Sequence, residues 1–227
     1  MRHTRPTASI DVYLEVGAKR TFAGAIEWPG WCRSGRDEAS AIDALLGYAP
    51  RYAAALRGSR LGFHAPSDVR IVERLRGDAT TDFGAPSAAP SADAEPMTDA
   101  DLRRAQALLQ ACWSTFDGAV EIATGRKLRT GPRGGGRDLD GIVEHVLGAD
   151  AGYLSRIGVK LGGPPKDLRA KLGPSRSAML EGLPTAVRDG VAPAPRGGAR
   201  WSPRYFVRRV AWHALDHAWE IADRAEG

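Results

Sequence analysis

Apolar and polar residues alternate from "IDVYLEV" (10–16) to "RTFAGAIEW" (20–28) around the short polar break Gly17-Ala18-Lys19-Arg20. A two-residue period interrupted in this way predicts a β-hairpin. Pro29-Gly30 ends the second strand, and the period then changes. In "RDEASAIDALLGYAPRYAAAL" (36–56) Ala41, Leu45, Tyr48 and Tyr52 fall at helical spacing behind Asp37 as N-cap, and Pro50 is expected to bend or divide the helix. "DVRIVERL" (68–75) reads as one more strand. Residues 1–83 therefore predict a small α+β unit.

"GAPSAAPSADAEP" (84–96) has no large apolar side chain with which to anchor itself in a core, and reads as a linker. From 97 to 227 the pattern is helical. Thr98 caps a helix whose stripe is Leu102, Ala105, Leu109, Cys112, Phe116, Val120 and Ala123, closed by "TGPRGGG" (130–136). A second helix starts near Asp138, a capping residue like Asp140, with Ile142, Val146, Ala149, Tyr153 and Ile157 inward. A third, broken around Gly173-Pro174, runs to about Asp189 with Met179, Leu183 and Val187 inward. After "GVAPAPRGGAR" a fourth is capped by Ser202, with Pro203 at the first helical position, where proline is tolerated. Four amphipathic helices joined by Gly/Pro loops predict a four-helix bundle. The expected fold is an α+β N-terminal unit followed by an all-α four-helix bundle.

Composition narrows the partners. No segment approaches the ~18 to 20 apolar residues that cross a bilayer, so no membrane partner is expected. "MRHTRPTASIDVYLEV" lacks the continuous apolar core of a secretory signal, which points to the cytoplasm. The net charge is +5, but the arginines are dispersed among Ala, Gly and Pro, and diffuse charge argues against nucleic acid. A small-molecule substrate is the expected partner, with a homodimer as the candidate assembly. Cys32 and Cys112 fall in different predicted units without CxxC or CxxH spacing, which argues against a structural disulfide and a sulfur-rich zinc site.

The chemistry lies in "WHALDH" (212–217). His213 and His217 are one helical turn apart, about 6 Å along the axis, so both imidazoles can turn toward one ion. Phe206, Val210, His213, His217 and Ile221 step by four, three, four and four, which puts both histidines in the apolar stripe. His145 follows Ile142 by three and precedes Ala149 by four, on or beside the inward face of its own helix. His3 and His64 lie in a terminus and a loop. A single inward histidine is usually a satisfied core residue. Three bring donors and acceptors that must all find partners in an apolar core, and one divalent ion satisfies three acceptors together. Neither the His-Glu-x-x-His of a zincin nor the Glu-x-x-His of a di-iron bundle is present: the positions concerned are Ala214, Ile142, Val210 and again Ala214. Three nitrogens without a fourth protein ligand leave a position open for water or substrate, as at a catalytic zinc.

Glu220 shares the His217 face as a partner of that ligand, a fourth ligand or a general base, against the commoner reading of a solvated helix-end charge. Arg208 and Arg209 could clamp a carboxylate, against the commoner reading of a solvated basic face. Trp212 and Trp219 read as core or interface anchors, Glu144 and Asp216 as surface groups, and Cys112 as packing.

Two segments, "GIVEHVLGADAGYLSRIG" (141–158) and "RRVAWHALDHAWEIADR" (208–224), resemble the DinB/YfiT-like superfamily of four-helix bundles, with its second-helix histidine and final-helix His-x-x-x-His. The resemblance covers about 97–227. It implies that His145, His213 and His217 hold a divalent metal, zinc or nickel. It further implies that the metal activates water or a low-molecular-weight thiol such as mycothiol for transfer, isomerisation or hydrolysis of a small molecule. "IEWPGWCRSGRDEASAIDAL" (26–45) is similar to the HicB-like fold, in which a strand ending at Pro-Gly is followed by a Gly-x-(Thr/Asp)-x-x-x-Ala helix start. The alternative expectation is a non-catalytic ligand- or protein-binding module with a HicB-like domain and structural histidines.

Overall fold

A computed structural model describes residues 9–130, 136–160, 172–194 and 198–225. Contacts divide the chain into two compact units, Met1–Glu95 and Pro96–Gly227.

In the first unit, β1 (Ser9–Val16) and β2 (Thr21–Ala25) form the expected antiparallel hairpin, closed by Gly17 N donating to Arg20 O at 2.9 Å. Tyr13 pairs with Gly24, and the ring lies where a Cβ on residue 24 would stand, within 2.5 Å, so only glycine fits under it. β4 (Asp68–Arg76) pairs in parallel with β1, with a bulge that leaves Val72 unpaired and half exposed. A short strand that the sequence pattern did not announce, β3 (Cys32–Gly35), pairs with β2, and the sheet order is β3-β2-β1-β4. Asp37 caps α1 (Glu38–Gly47) through a capping box with Ser40. The predicted 36–56 helix is divided as expected: α2 (Ala49–Ala55) restarts with Pro50 in its first turn. Trp31, fully buried, donates its indole N–H to Leu45 O at 2.8 Å and stacks on Tyr52, fixing α1 and α2 over the sheet.

Asp78 caps a further short helix, α3 (Ala79–Phe83). The stretch 84–96, read from composition as a linker, is held to β1 by one buried carboxylate. Glu15 accepts from Thr81 Oγ1, from Ser87 N at 2.9 and 3.0 Å, and from Ala88 N at 3.0 Å. A buried charge is tolerable only with such a set of donors. Pro86, Pro90 and Asp93 are buried as well, and a 3₁₀ turn covers Ser91–Ala94.

The second unit is a helical region, with four helices among the described residues. Thr98 caps α4 (Asp99–Ala123) through a capping box with Asp101, and Asp138 caps α5 (Leu139–Arg156). Ser202 precedes α7 (Pro203–Ala225) and accepts from Tyr205 N. α6 (Leu172–Asp189) contains Gly173 and Pro174 at its start; the residues before Leu172, on which the expected break around Gly173-Pro174 depends, lie outside the described residues. Pro184, inside α6, has no N–H to offer Leu180 O, and Gln106 Nε2 donates to that carbonyl instead, at 3.3 Å. Arg204 bonds Asp101 and Arg129 N bonds Arg224 O, so α4 and α7 run parallel. Arg209 bonds Tyr153 and Ser175 bonds Asp150, so α5 runs against α7, and α6 packs beside α5. Phe116, Val120, Leu139, Ile142, Val146 and Ile221 belong to one buried cluster that ties α4, α5 and α7 together. Among the described residues, no helix is long and apolar enough to cross a membrane.

Candidate metal centre

α7 is buried at every position from Tyr205 to Ile221 except Asp216 and Glu220. Helical periodicity then decides what each side chain meets, and at His213 and His217 it is α5. Ile142 and Val146 press α5 into the core, which turns His145, between them, toward α7. The sequence-predicted triad comes together. The ring centroids of His145, His213 and His217 are 4.6 to 5.0 Å apart, with mutual inclinations of 57°, 80° and 84°. One ligand atom from each lies within 4.8 Å of the others, and His145 Nε2 faces His213 Nε2 at 3.2 Å. Nitrogens bound at 2.0–2.1 Å to one tetrahedral ion stand about 3.3 Å apart, so this pair has the spacing of a shared ion.

Protonation favours the same use. Burial, followed by the neighbouring histidines and Arg209, holds His213 well below its ordinary value, and burial together with His217 lowers His145. Both imidazoles are therefore neutral at pH 7 and carry lone pairs. His213 Nδ1 is buried with no hydrogen-bond partner among the described residues, so Nε2 is this ring's one productive contact.

The third ring is oriented by Glu220, whose Oε2 lies 2.7 Å from His217 Nδ1. The bonds from His217 and Arg224 outweigh desolvation and keep the Glu220 carboxyl below its usual range. An ionised carboxylate only accepts, so His217 Nδ1 is the donor in this contact and Nε2 is the ring nitrogen left to face inward. Both Glu220 oxygens are occupied, Oε1 by Arg224 Nη1 at 2.7 Å, which is the arrangement of a carboxylate that orients a ligand. It is not the solvated helix-end charge that the sequence favoured.

Arg208 and Arg209 are buried, at 5% and 8% exposure, which corrects the expectation of a solvated basic face: α7 is enclosed where they stand. Arg209 lies over the Trp212 ring at 4.8 Å and the Tyr153 ring at 5.7 Å, and donates to Tyr153 Oη at 3.3 Å. Tyr153 in turn meets His213 edge-on at 5.7 Å. Trp212 and Trp219 are buried, in keeping with anchoring. Burial pushes the Cys112 thiol far up, in keeping with packing. Glu144 is exposed and Asp216 half-buried; His64 is exposed, and His3 lies outside the described residues.

Two participants escaped the sequence reading. Arg224, seven residues after His217 and four after Glu220, shares their face, a spacing that could have drawn attention to it. The helical pattern marks Tyr153 only as an inward, core position. The arrangement as a whole offers three converging imidazoles, one oriented by a carboxylate, beside a wall of Tyr153, Trp212 and the Arg209 guanidinium. No family model matches the chain, and no curated protein or solved structure matches it.

Proposed function

We propose that the second unit is a DinB-like four-helix bundle and that the protein is a divalent-metal-dependent enzyme acting on a small molecule. His145, His213 and His217 hold one zinc or nickel ion. When bound, the ion supplies Lewis acidity that lowers the pKa of a coordinated thiol, such as mycothiol, or of a water, for transfer, isomerisation or hydrolysis. Glu220 fixes the tautomer and angle of His217. Tyr153 and Trp212 exclude water from the His213 side, and Arg208 and Arg209 offer guanidinium charge to a carboxylate-bearing substrate. The observation that carries this reading is the convergence of three imidazoles from two helices, two of them at the nitrogen spacing of a shared ion.

The second reading, a non-catalytic module with a HicB-like domain and structural histidines, draws on the same 3.2 Å contact, which also suits an N–H···N hydrogen bond between His145 and His213. An assay of thiol transfer to an electrophilic aromatic substrate, run with mycothiol and other bacterial thiols, separates the two. Turnover that disappears on chelation and returns with zinc or nickel is the expected result. Absence of turnover with every thiol, in protein that is folded and takes up no ion, supports the binding module.

A further inference from the structure

Arg224 is bonded to Glu220, the carboxylate that holds the His217 ring. Each edge of its guanidinium is committed: Nη1 to Glu220 Oε1 at 2.7 Å, Nε to Arg129 O at 2.8 Å and Nη2 to Arg137 O at 2.7 Å. The two carbonyls belong to the connection between α4 and α5, so the fork joins the end of α7 to that connection at two points. Arg129 N closes the arrangement from the other side, donating to Arg224 O at 2.9 Å. Gly136 makes room for the fork. A Cβ at that position would lie 2.7 Å from Arg224 Nη2, and its φ of +145° is strained for any other residue. From the α4–α5 connection to the His217 ring there is thus an unbroken line of short polar contacts through Arg224 and Glu220.

Building on the metal reading above, we propose that Arg224, seated by Gly136, is a positioning residue for the metal centre, and that ion binding and the order of the backbone at Arg129 and Arg137 are linked through it. The physical reason is geometric. Glu220 can hold His217 only if it is itself held, and a freely rotating carboxylate orients nothing. Arg224 supplies a planar fork that lysine cannot imitate, because the Glu220 oxygen and both carbonyls have to be met from one rigid plane. Linkage is reciprocal, so an ion that fixes His217 also fixes, through the same contacts, the backbone around Arg129 and Arg137.

The test uses the full chain and zinc alone, with affinity measured by competition against a chromophoric chelator. Arg224→Lys and Gly136→Ala are each expected to weaken zinc binding by about 10- to 100-fold, the usual effect of losing a ligand's supporting partner. The double variant Glu220→Gln/Arg224→Lys should be little weaker than either single variant, because the two residues act in series. Zinc should also slow amide hydrogen exchange at Arg129 in the unaltered protein and leave it unchanged in Glu220→Gln, a difference that a merely structural arginine would not produce. Unchanged zinc affinity in both Arg224→Lys and Gly136→Ala, in protein that binds zinc normally when unaltered, overturns this proposal alone. Failure of the unaltered protein to bind zinc overturns the metal reading and this proposal with it.

Discussion

Replacing His213 with alanine should weaken ion binding severely while leaving the ion-free protein close to its original stability. An ion held at such a site is worth roughly 10 kcal/mol or more in all, so loss of one of three ligands should weaken binding on the order of 10³-fold. Ion-free stability should change little because the truncation has opposing effects. It leaves a small cavity and takes from His145 Nε2 its partner at 3.2 Å, but it also removes a buried Nδ1 that has no partner among the described residues. Linkage makes the contrast measurable by heating. At zinc about 1,000-fold above its Kd the native form gains about 4 kcal/mol, a rise of about 10 °C in the midpoint of a domain of this size. His213→Ala should show no zinc-dependent rise. A packed core histidine would behave in the opposite way, with the variant destabilised equally with and without zinc.

Asp150→Asn should stabilise the protein at pH 8 and make no difference near pH 4. Asp150 is buried between α5 and α6 at 3% exposure and accepts from Ser175 Oγ at 2.9 Å. Burial pushes its carboxyl up from 3.8 to about 7, with the Ser175 bond and the Arg176 charge offsetting part of the rise. The unfolded chain ionises this group near its ordinary value and the folded chain only near 7. Stability is therefore lost as pH rises through that interval and stays lost above it. A shift of this size corresponds to about 4 kcal/mol; since the asparagine amide must still satisfy its N–H groups beside Ser175, a gain of about 2 kcal/mol at pH 8 is expected. His213 and His145 work in the other direction. Their folded-state values are lowered, so their contribution is complete above about 6.5 and is lost as pH falls below it. The ion-free protein should be most stable between these two effects, near pH 6 to 7, and Asp150→Asn should turn that maximum into a rise toward alkaline pH. Denaturant titrations of both proteins from pH 5 to 8 provide the comparison. A variant no more stable than the original at pH 8 would contradict the assigned cost of the buried carboxylate.

What could be read from the sequence follows from how far each determinant reaches along the chain. Caps and turns are local, and Asp37, Thr98, Asp138 and Ser202 could be assigned because each partner lies within three residues. The histidine triad could be read because burial stripes have a period, and His145, His213 and His217 are in phase with theirs. β3 escaped because "CRSG" carries no strand signal of its own; its place is set by pairing with β2. Glu15 alternates like an outward residue, yet its donors lie 66 to 73 residues further along the chain, and they hold down a segment that composition alone releases. Asp150 was in plain view, four residues after Val146 and eight after Ile142 in the apolar stripe, where a carboxylate is an anomaly. Arg208 and Arg209 misled for a different reason: residue type predicts solvation on average, and nothing in the pattern of α7 indicates that it is enclosed where they stand.

The central claim is that His145, His213 and His217 share one ion. It is tested most directly by X-ray absorption at the zinc edge, on protein prepared without an affinity tag and loaded with one equivalent of zinc. Three imidazole nitrogens at about 2.0–2.1 Å with one further light-atom or sulfur neighbour, lost in His213→Ala, is the predicted result. Zinc that stays in solution, or that binds with fewer imidazoles and is unaffected by the substitution, would contradict it.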